Sequence, residues 1–423
     1  MSKTSNPIIL EAREAVDNKE FTKAESLYRQ VLKVEHSGPR DEKLIQDQET
    51  ALSELGTLYQ SNGKVQEIVE LVRLSRTITG KFAKSKTAKI IRTLIDLFNG
   101  LPNTLDVQIS TTEECIEWAK TENRNFLRQS LQSRLIGLYF DKSAYHDALE
   151  LINSLLRELK RLDDKMMLVE VQLLESRVYH ALRNIGKARA CLTSARTSAN
   201  SVYCPILTQA ALDNMSGILL AEDKDYKTAF SYFFEAFEGY SSQDDARAID
   251  VLKYLLLSKI MLNLASDIET LLRSKPVQKY AGRDLDAMKA IATAHSNRSL
   301  KEFEQALETY KKELSSDSFI RSHFSALYDT LLEQNLVKVI EPFSCVEISH
   351  VAELIGLDTR QIEGKLSQMI LDKVFYGVLD QGNGWLFIYD EPSTDKTYDL
   401  ALDTVKHMSA VVDTLYEKAA ALN

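Results

Sequence analysis

Tyr226-Lys227-Thr228-Ala229-Phe230-Ser231-Tyr232 sets an aromatic residue, a small residue and a second aromatic at three-residue steps. The same spacing returns at intervals of about forty residues. Its copies are Phe21/Ala24/Leu27, Val65/Ile68/Leu71, Tyr145/Ala148/Leu151, Ile185/Ala188/Cys191 and Phe303/Ala306/Thr309, with a weaker one at Ala265/Ile268/Leu271. One copy is missing near Leu105, so one unit is expected to be degenerate or looped. Residues three apart share a helix face, and a small central residue lets the neighbouring helix come close. A lone unit of this kind cannot bury its face. Stacked units can, so the beat predicts an α-solenoid, a rod with a long surface for partner proteins rather than a cleft for chemistry.

Each good copy follows a turn: Ser61-Asn62-Gly63, Phe140-Asp141-Lys142-Ser143, Arg183-Asn184 and Ala221-Glu222-Asp223-Lys224-Asp225. Helix, turn, helix in that order is a tetratricopeptide-like unit, lengthened by longer helices and by loops such as Ser37-Gly38-Pro39-Arg40. Asn99-Gly100-Leu101-Pro102-Asn103 breaks the pattern most, and a helix break or kink is expected there. The repeats are assigned to residues 1–315.

Residues 316–392 read differently. A helix is expected from about Phe319 to Gln334, then an extended, β-branched stretch through Val337–Phe343 and Val346-Glu347-Ile348. Ser349 is placed as the cap of a short helix from His350 to Ile355 that Gly356 ends, and Asp358 or Thr359 starts a longer helix through Lys373. Phe375–Asp380 and Trp385–Asp390 flank the turn Gln381-Gly382-Asn383-Gly384 as a hairpin. Those parts in that order make a winged helix. Its strand with Trp385, Phe387 and Tyr389 is read as a sheet edge open to pairing with another chain.

Residues 393–423 repeat apolar side chains at Tyr398, Leu402, Val405, Met408, Val412, Leu415, Ala419 and Leu422. Spacings alternating near three and four make a narrow coiled-coil-like seam. At a chain end it has little of its own domain to pack on, which marks it as a contact for other helices.

Composition narrows the function. Among 423 residues, 15 Gly and 7 Pro are few, which favours uninterrupted helix, and the net charge is −9. An acidic chain lacks the basic footprint of a nucleic-acid binder and is repelled by acidic membranes. Even the most apolar run, Val251–Ala265, is interrupted by Lys253 and Lys259, too short for a bilayer span, and Met1–Asn6 has no secretory pattern. Cys115, Cys191, Cys204 and Cys345 show no metal-cage or disulfide spacing, so they are read as thiols of a reducing compartment.

Catalytic patterns do not emerge. Seven histidines are scattered without metal-binding spacing, and no GxSxG elbow occurs. Gly-Lys pairs at Gly63, Gly80, Gly186 and Gly364 lack the rest of a phosphate loop. Glu113-Glu114 and Asp244-Asp245 sit in polar surroundings and are read as helix starts or solvated loops. In the winged helix, Arg360, Lys365 and Lys373 are offset by Glu363 and Asp372, and the wing tip carries Asp380, so a phosphate-gripping face is not expected. No enzyme activity, metal or cofactor is expected.

Helical repeats running into a winged helix and then one terminal helix resemble the PCI family, named for subunits of the proteasome lid, the signalosome and a translation initiation factor. Longer runs are similar to the proteasome-lid members. They include Tyr203-Cys204-Pro205 with Ala211-Leu212-Asp213, Asp225–Ala229 continuing to Glu235–Tyr240, and Asn297-Arg298-Ser299-Leu300. Near the C-terminus they include Lys365–Lys373, Leu379–Gly382, Asp390-Glu391-Pro392, and Asp395-Lys396-Thr397-Tyr398 with Val411-Val412-Asp413 and Leu415-Tyr416. The resemblance implies a non-catalytic scaffold of the 26S proteasome lid in ubiquitin-dependent degradation, in cytoplasm and nucleus. It implies winged helices pairing edge to edge with other PCI lid subunits, and a terminal helix joining the lid's helical bundle. It also implies a solenoid arm reaching along the ATPase ring to the 20S α-ring. The alternatives are a PCI scaffold of the signalosome or an initiation factor, and, from another class, a winged-helix nucleic-acid binder.

Overall fold

A computed structural model describes residues 7–18, 20–33, 42–78, 84–101, 104–280, 282–311, 314, 317–390 and 396–421. The chain divides into two compact units, residues 1–251 and 252–423. The first holds α1 (Pro7–Asp17), α2 (Phe21–Lys33), α3 (Glu42–Ser61), α4 (Val65–Ile78), α5 (Lys84–Asp96) and α6 (Leu105–Thr121). It continues through α7 (Asn125–Asp141), α8 (Tyr145–Leu162), α9 (Lys165–Ala181), α10 (Ile185–Asn200), α11 (Ile206–Glu222) and α12 (Tyr226–Ser242). The second unit begins within α13 (Ala248–Met261) and adds α14 (Ala265–Leu272), α15 (Lys275–Gln278), α16 (Arg283–Ser296), α17 (Leu300–Thr309) and α18 (Ser318–Ile340).

Helical hairpins explain the forty-residue beat. Copies at Phe21, Val65, Tyr145, Ile185, Tyr226 and Ala265 each start the second helix of a pair. Their central residues Ala24, Ile68, Ala148, Ala188 and Ala229 are fully buried. Where the centre is small, the preceding helix comes within hydrogen-bond reach: Ser176 Oγ of α9 donates to the carbonyl of Ala188 in α10 at 2.9 Å. Glycine does the same for α11 and α12, because a Cβ on Gly217 would lie 2.6 Å from the Phe233 ring.

The copy missing near Leu105 is present in disguise. Leu105 starts α6, and the next two positions of the motif, Gln108 and Thr111, are buried polar residues. Gln108 Nε2 donates to Asn99 Oδ1 at 3.0 Å, and Thr111 Oγ1 donates to the Val107 carbonyl at 2.6 Å, so neither is left unpaired. The unit is degenerate, and the expected helix break precedes it: α5 runs into a 3-10 turn, Leu97–Gly100, with Phe98 buried beneath. Pro102 and Asn103 lie outside the described residues.

A second beat, of twenty residues, is visible only in the backbone. Asn123, Ser143, Asp163 and Arg183 all have positive φ, followed by Lys224, Asp244 and Asn263. At Ser143 the N–H of Ala144 bonds the Tyr139 carbonyl at 2.9 Å and that of Ser143 bonds Phe140 at 3.0 Å, the pair of bonds that closes a helix through a left-handed residue. The next residue then opens the following helix, as Asn184 Oδ1 does by accepting from the Lys187 N–H at 3.2 Å and Asp225 Oδ1 from Thr228 at 3.3 Å.

These left-handed positions hold ordinary L-residues, whose strain there is about 1–2 kcal/mol. Lys224, at φ 66°, is exposed. Lys224→Gly removes that strain and forfeits about 0.5–1 kcal/mol of chain entropy. A net stabilisation of about 1 kcal/mol or less is expected. Urea unfolding of the full chain checks it, and a destabilised variant would show that the lysine is not strained.

The winged helix follows α18. It comprises β1 (Cys345–Glu347), α19 (Ile348–Ile355), α20 (Thr359–Leu371), β2 (Tyr376–Asp380) and β3 (Trp385–Tyr389). Its core is Val346, Ile348, Val351, Ile355, Ile362, Leu366, Met369 and Leu386. Gly356 ends α19 at φ 83°, as the sequence requires.

Three local expectations are corrected. Val337–Ile340 continues α18 as helix rather than strand, because burial of Leu336 and Ile340 outweighs the β-branched preference. Ser349 caps nothing: α19 begins at Ile348, and the Ser349 hydroxyl donates to Glu347 Oε1 at 2.6 Å. Helix α20 stops at Leu371, and Lys373 takes the left-handed φ of 57° that turns the chain toward β2. Last comes α21 (Lys396–Ala420).

Candidate protein-interaction surfaces

The three strands form one antiparallel sheet in the order β1-β3-β2. Phe387 pairs with Cys345 on one side and Val378 on the other, and Trp385 with Glu347 and Asp380. Trp385, Phe387 and Tyr389 therefore lie on the central strand, not on an edge as the sequence suggested. The hairpin leaves one side of β3 open, and β1, brought back across α19 and α20, fills it. Among the described residues the outer strands of the sheet are β1 and β2.

What Trp385, Phe387 and Tyr389 do form is a face. Leu386 between them is buried, so the three alternate residues point the other way. Trp385 and Phe387 rings meet edge to face at 6.2 Å. Register places Tyr376 and Val378 of β2 beside Tyr389 and Phe387 on the same face. Val378, Trp385 and Tyr389 are exposed. Tyr376 and Val378 were missed from sequence because strand order decides which residues share a face. At the wing, Asn383 Nδ2 donates to Asp380 Oδ2 at 2.9 Å, and the Asn383 and Gly382 N–H groups donate to Oδ1 at 3.3 and 3.0 Å, which together hold the carboxyl below the usual range.

Helix α21 gives the clearest surface. Every residue from Thr397 to Ala421 is exposed. The seam residues Tyr398, Leu402, Val405, Met408, Val412 and Leu415 present their side chains to solvent, Tyr398 at 75% exposure. Ala419 is exposed with them, and Leu422 lies outside the described residues. Leu400 and Val411 are also exposed but sit some 140–180° around the helix from Tyr398 and Leu402 at about 100° per residue. The apolar arc is wider than the single seam read from the sequence, wide enough to face more than one neighbouring helix.

Of the three cations Arg360, Lys365 and Lys373, Lys365 of α20 pairs with Glu333 of α18 at 2.9 Å. Cys115 is buried. Burial and the neighbouring Glu175 carboxylate push the half-buried Cys191 thiol up to about 12, so it stays protonated. Among the described residues no group of three His, Cys, Asp or Glu side chains is placed to hold a metal, and no helix is long and apolar enough to cross a membrane.

Helical hairpins, a three-stranded winged helix and an unpacked terminal helix define a PCI-type subunit, and residues 307–390 match the family described as "PCI domain". Residues 5–142 match "26S proteasome regulatory subunit RPN6 N-terminal domain", and residues 394–420 match "26S proteasome subunit RPN6 C-terminal helix domain". The "Probable 26S proteasome regulatory subunit rpn6" of Schizosaccharomyces pombe is 58% identical over 413 residues, 97% of this chain and 98% of that protein. The "26S proteasome regulatory subunit RPN6" of Saccharomyces cerevisiae is 54% identical over 424 residues, again covering 97% and 98%. The "26S proteasome non-ATPase regulatory subunit 11 homolog" of Arabidopsis thaliana is 47% identical over 399 residues, 94% of each. The chain belongs to the RPN6 family of 26S proteasome regulatory subunits.

Proposed function

We propose that the chain is a non-catalytic scaffold of the proteasome's regulatory-particle lid, acting in ubiquitin-dependent protein degradation in cytoplasm and nucleus. One observation carries this reading: a 25-residue helix, α21, with its whole apolar arc in solvent. Such an arc is stable in water only when other helices cover it. The family match at residues 394–420 falls on the same helix.

Three contacts then act together. The α21 seam enters a helical bundle of the lid. The winged helix meets other PCI subunits through the outer strands β1 or β2 and the aromatic face of Trp385, Phe387 and Tyr389. The repeats of residues 1–315 extend as an arm toward the ATPase ring and the 20S α-ring. Linked contacts raise one another's effective concentration, so individually modest interfaces hold a large assembly.

Affinity purification of the tagged chain tests the reading. Recovery of ATPase subunits and 20S α-subunits is the expected result, and recovery of signalosome or initiation-factor subunits in their place would overturn it. Duplex DNA binding that weakens steeply with salt would favour the nucleic-acid alternative instead.

A further inference from the structure

Between α5, the α6–α7 turn and the first turn of α7 lies a cleft of about 380 Å³, lined by Ala88, Arg92, Asn123, Arg124, Phe126 and Leu127. Arg124 is only 8% exposed, its guanidinium lies 4.9 Å from the Trp118 ring centre, and its Nη1 has no hydrogen-bond partner among the described residues. Arg92 stacks over the Phe126 ring at 5.6 Å, and its Nε is likewise buried and without a partner. Other arginines of α7 are neutralised: Arg128 pairs with Glu158 and Arg134 with Asp96. Among the described residues neither Arg92 nor Arg124 has such a carboxylate. Glu170 of α9 is the acid whose field reaches Arg92, and burial pushes that carboxyl up, which weakens it as a counter-charge.

A third source of positive potential points the same way. Arg124 occupies the N-cap of the 17-residue α7 and makes no side-chain cap bond, since a guanidinium has nothing to accept with. The first turn of α7, whose Asn125, Phe126 and Leu127 line the cleft, thus has no side-chain cap at the positive end of the helix dipole. A buried guanidinium with an unused donor is costly unless an anion meets it, and its planar fork suits carboxylate or phosphate oxygens.

We propose that this cleft binds an anionic side chain, carboxylate or phosphate, carried by a partner polypeptide whose neighbouring apolar residue packs on Phe126. A free ion would use only the two arginines and the helix end. Besides Asn123 and Asn125 at the turn, the lining holds the apolar Ala88, Phe126 and Leu127, and the Phe126 side chain, 62% exposed, stands ready for a hydrophobic neighbour. The volume takes one or two side chains, as an acidic-motif site does, rather than a folded domain. This site goes beyond the scaffold reading and stands or falls apart from it.

Trp118, beneath Arg124, supplies the reporter. The chain has two tryptophans, so in full-length Trp385→Phe protein the tryptophan fluorescence, excited at the red edge where tyrosine does not absorb, comes from Trp118 alone. Titration with acetyl-Glu-Phe-amide, with acetyl-phosphoserine-Phe-amide and with inorganic phosphate is compared. A saturable change is expected with at least one peptide, tighter than with inorganic phosphate, and the preferred peptide distinguishes carboxylate from phosphate. Charge-assisted bonds are each worth about 1.5–3 kcal/mol, so Arg124→Ala and Arg92→Gln should each weaken binding roughly tenfold to a hundredfold. Arg73→Gln, whose guanidinium is paired with Glu114 elsewhere, should not. Arg92 is half-buried, so Arg92→Gln keeps the test decisive if Arg124→Ala fails to fold. No saturable change, equal affinity for inorganic phosphate, or undiminished binding by folded Arg92→Gln would overturn the proposal.

Discussion

Deletion of residues 393–423 is expected to leave the thermal unfolding of the isolated chain almost unchanged and to abolish its incorporation into the proteasome regulatory particle. The first half follows from exposure. From Thr397 to Ala421 no residue is buried, so removing α21 takes almost no core away. The second follows from what covering it would yield. Fully burying an apolar side chain gives about 1.5–3 kcal/mol, so six seam residues offer on the order of 10 kcal/mol before the costs of association. Circular dichroism melting and native-gel assembly read the two halves separately. Point changes sharpen the test: Val405→Asp with Val412→Asp sets two carboxylates into the buried seam and should reduce incorporation more than about a hundredfold. Normal incorporation of the deletion would remove the terminal helix from the scaffold argument, and a collapsed melting curve would show that α21 packs on its own chain.

The second large effect concerns the repeats. Phe233 of α12 is fully buried against Gly217 of α11. Phe233→Ala should cost about 3–5 kcal/mol, the lost transfer energy plus the cavity. Gly217→Ala drives a methyl to within 3 Å of that ring and should cost about 1–3 kcal/mol by overpacking. Combined, the two should cost less than their sum, because the new methyl occupies space the ring has left. Urea denaturation of the four proteins gives the coupling directly. Simple additivity would mean that α11 and α12 do not touch through this pair. Since each repeat is stabilised by its neighbours, the weakened variants should also lose protection from proteolysis around α11 and α12 before α20 does.

Particular residues show how far the sequence alone reaches. Ala24, Ala148, Ala188 and Ala229 are buried where the three-residue spacing placed them, and Gly356 closes α19. The β2–β3 hairpin with its turn at Gly382–Gly384, and the terminal helix with its seam, were equally legible. These features repeat or close within a few residues, so periodicity and turn chemistry suffice to find them. Reading the Leu105 copy failed for a related reason. Pattern search equates burial with apolar residues, and Gln108 is buried because Asn99, nine residues earlier, satisfies it.

Other features were decided by groups far apart in the chain. Strand β3 became central only when β1, forty residues earlier, paired along its open side, so Trp385, Phe387 and Tyr389 form a face and not an edge. Ile340 is helical because its burial in the second unit outweighs its own preference for strand. The arginine cleft needs Arg92 from α5 and Arg124 at the start of α7 to line one space, with neither in an ion pair among the described residues. By itself the sequence determined the repeating helices, the winged helix and the seam helix, because each is written in local spacing. Only the tertiary structure decided which strand is central, how wide the apolar arc of α21 is, and that Arg92 and Arg124 line one cleft. Those depend on contacts between residues that the chain order keeps apart.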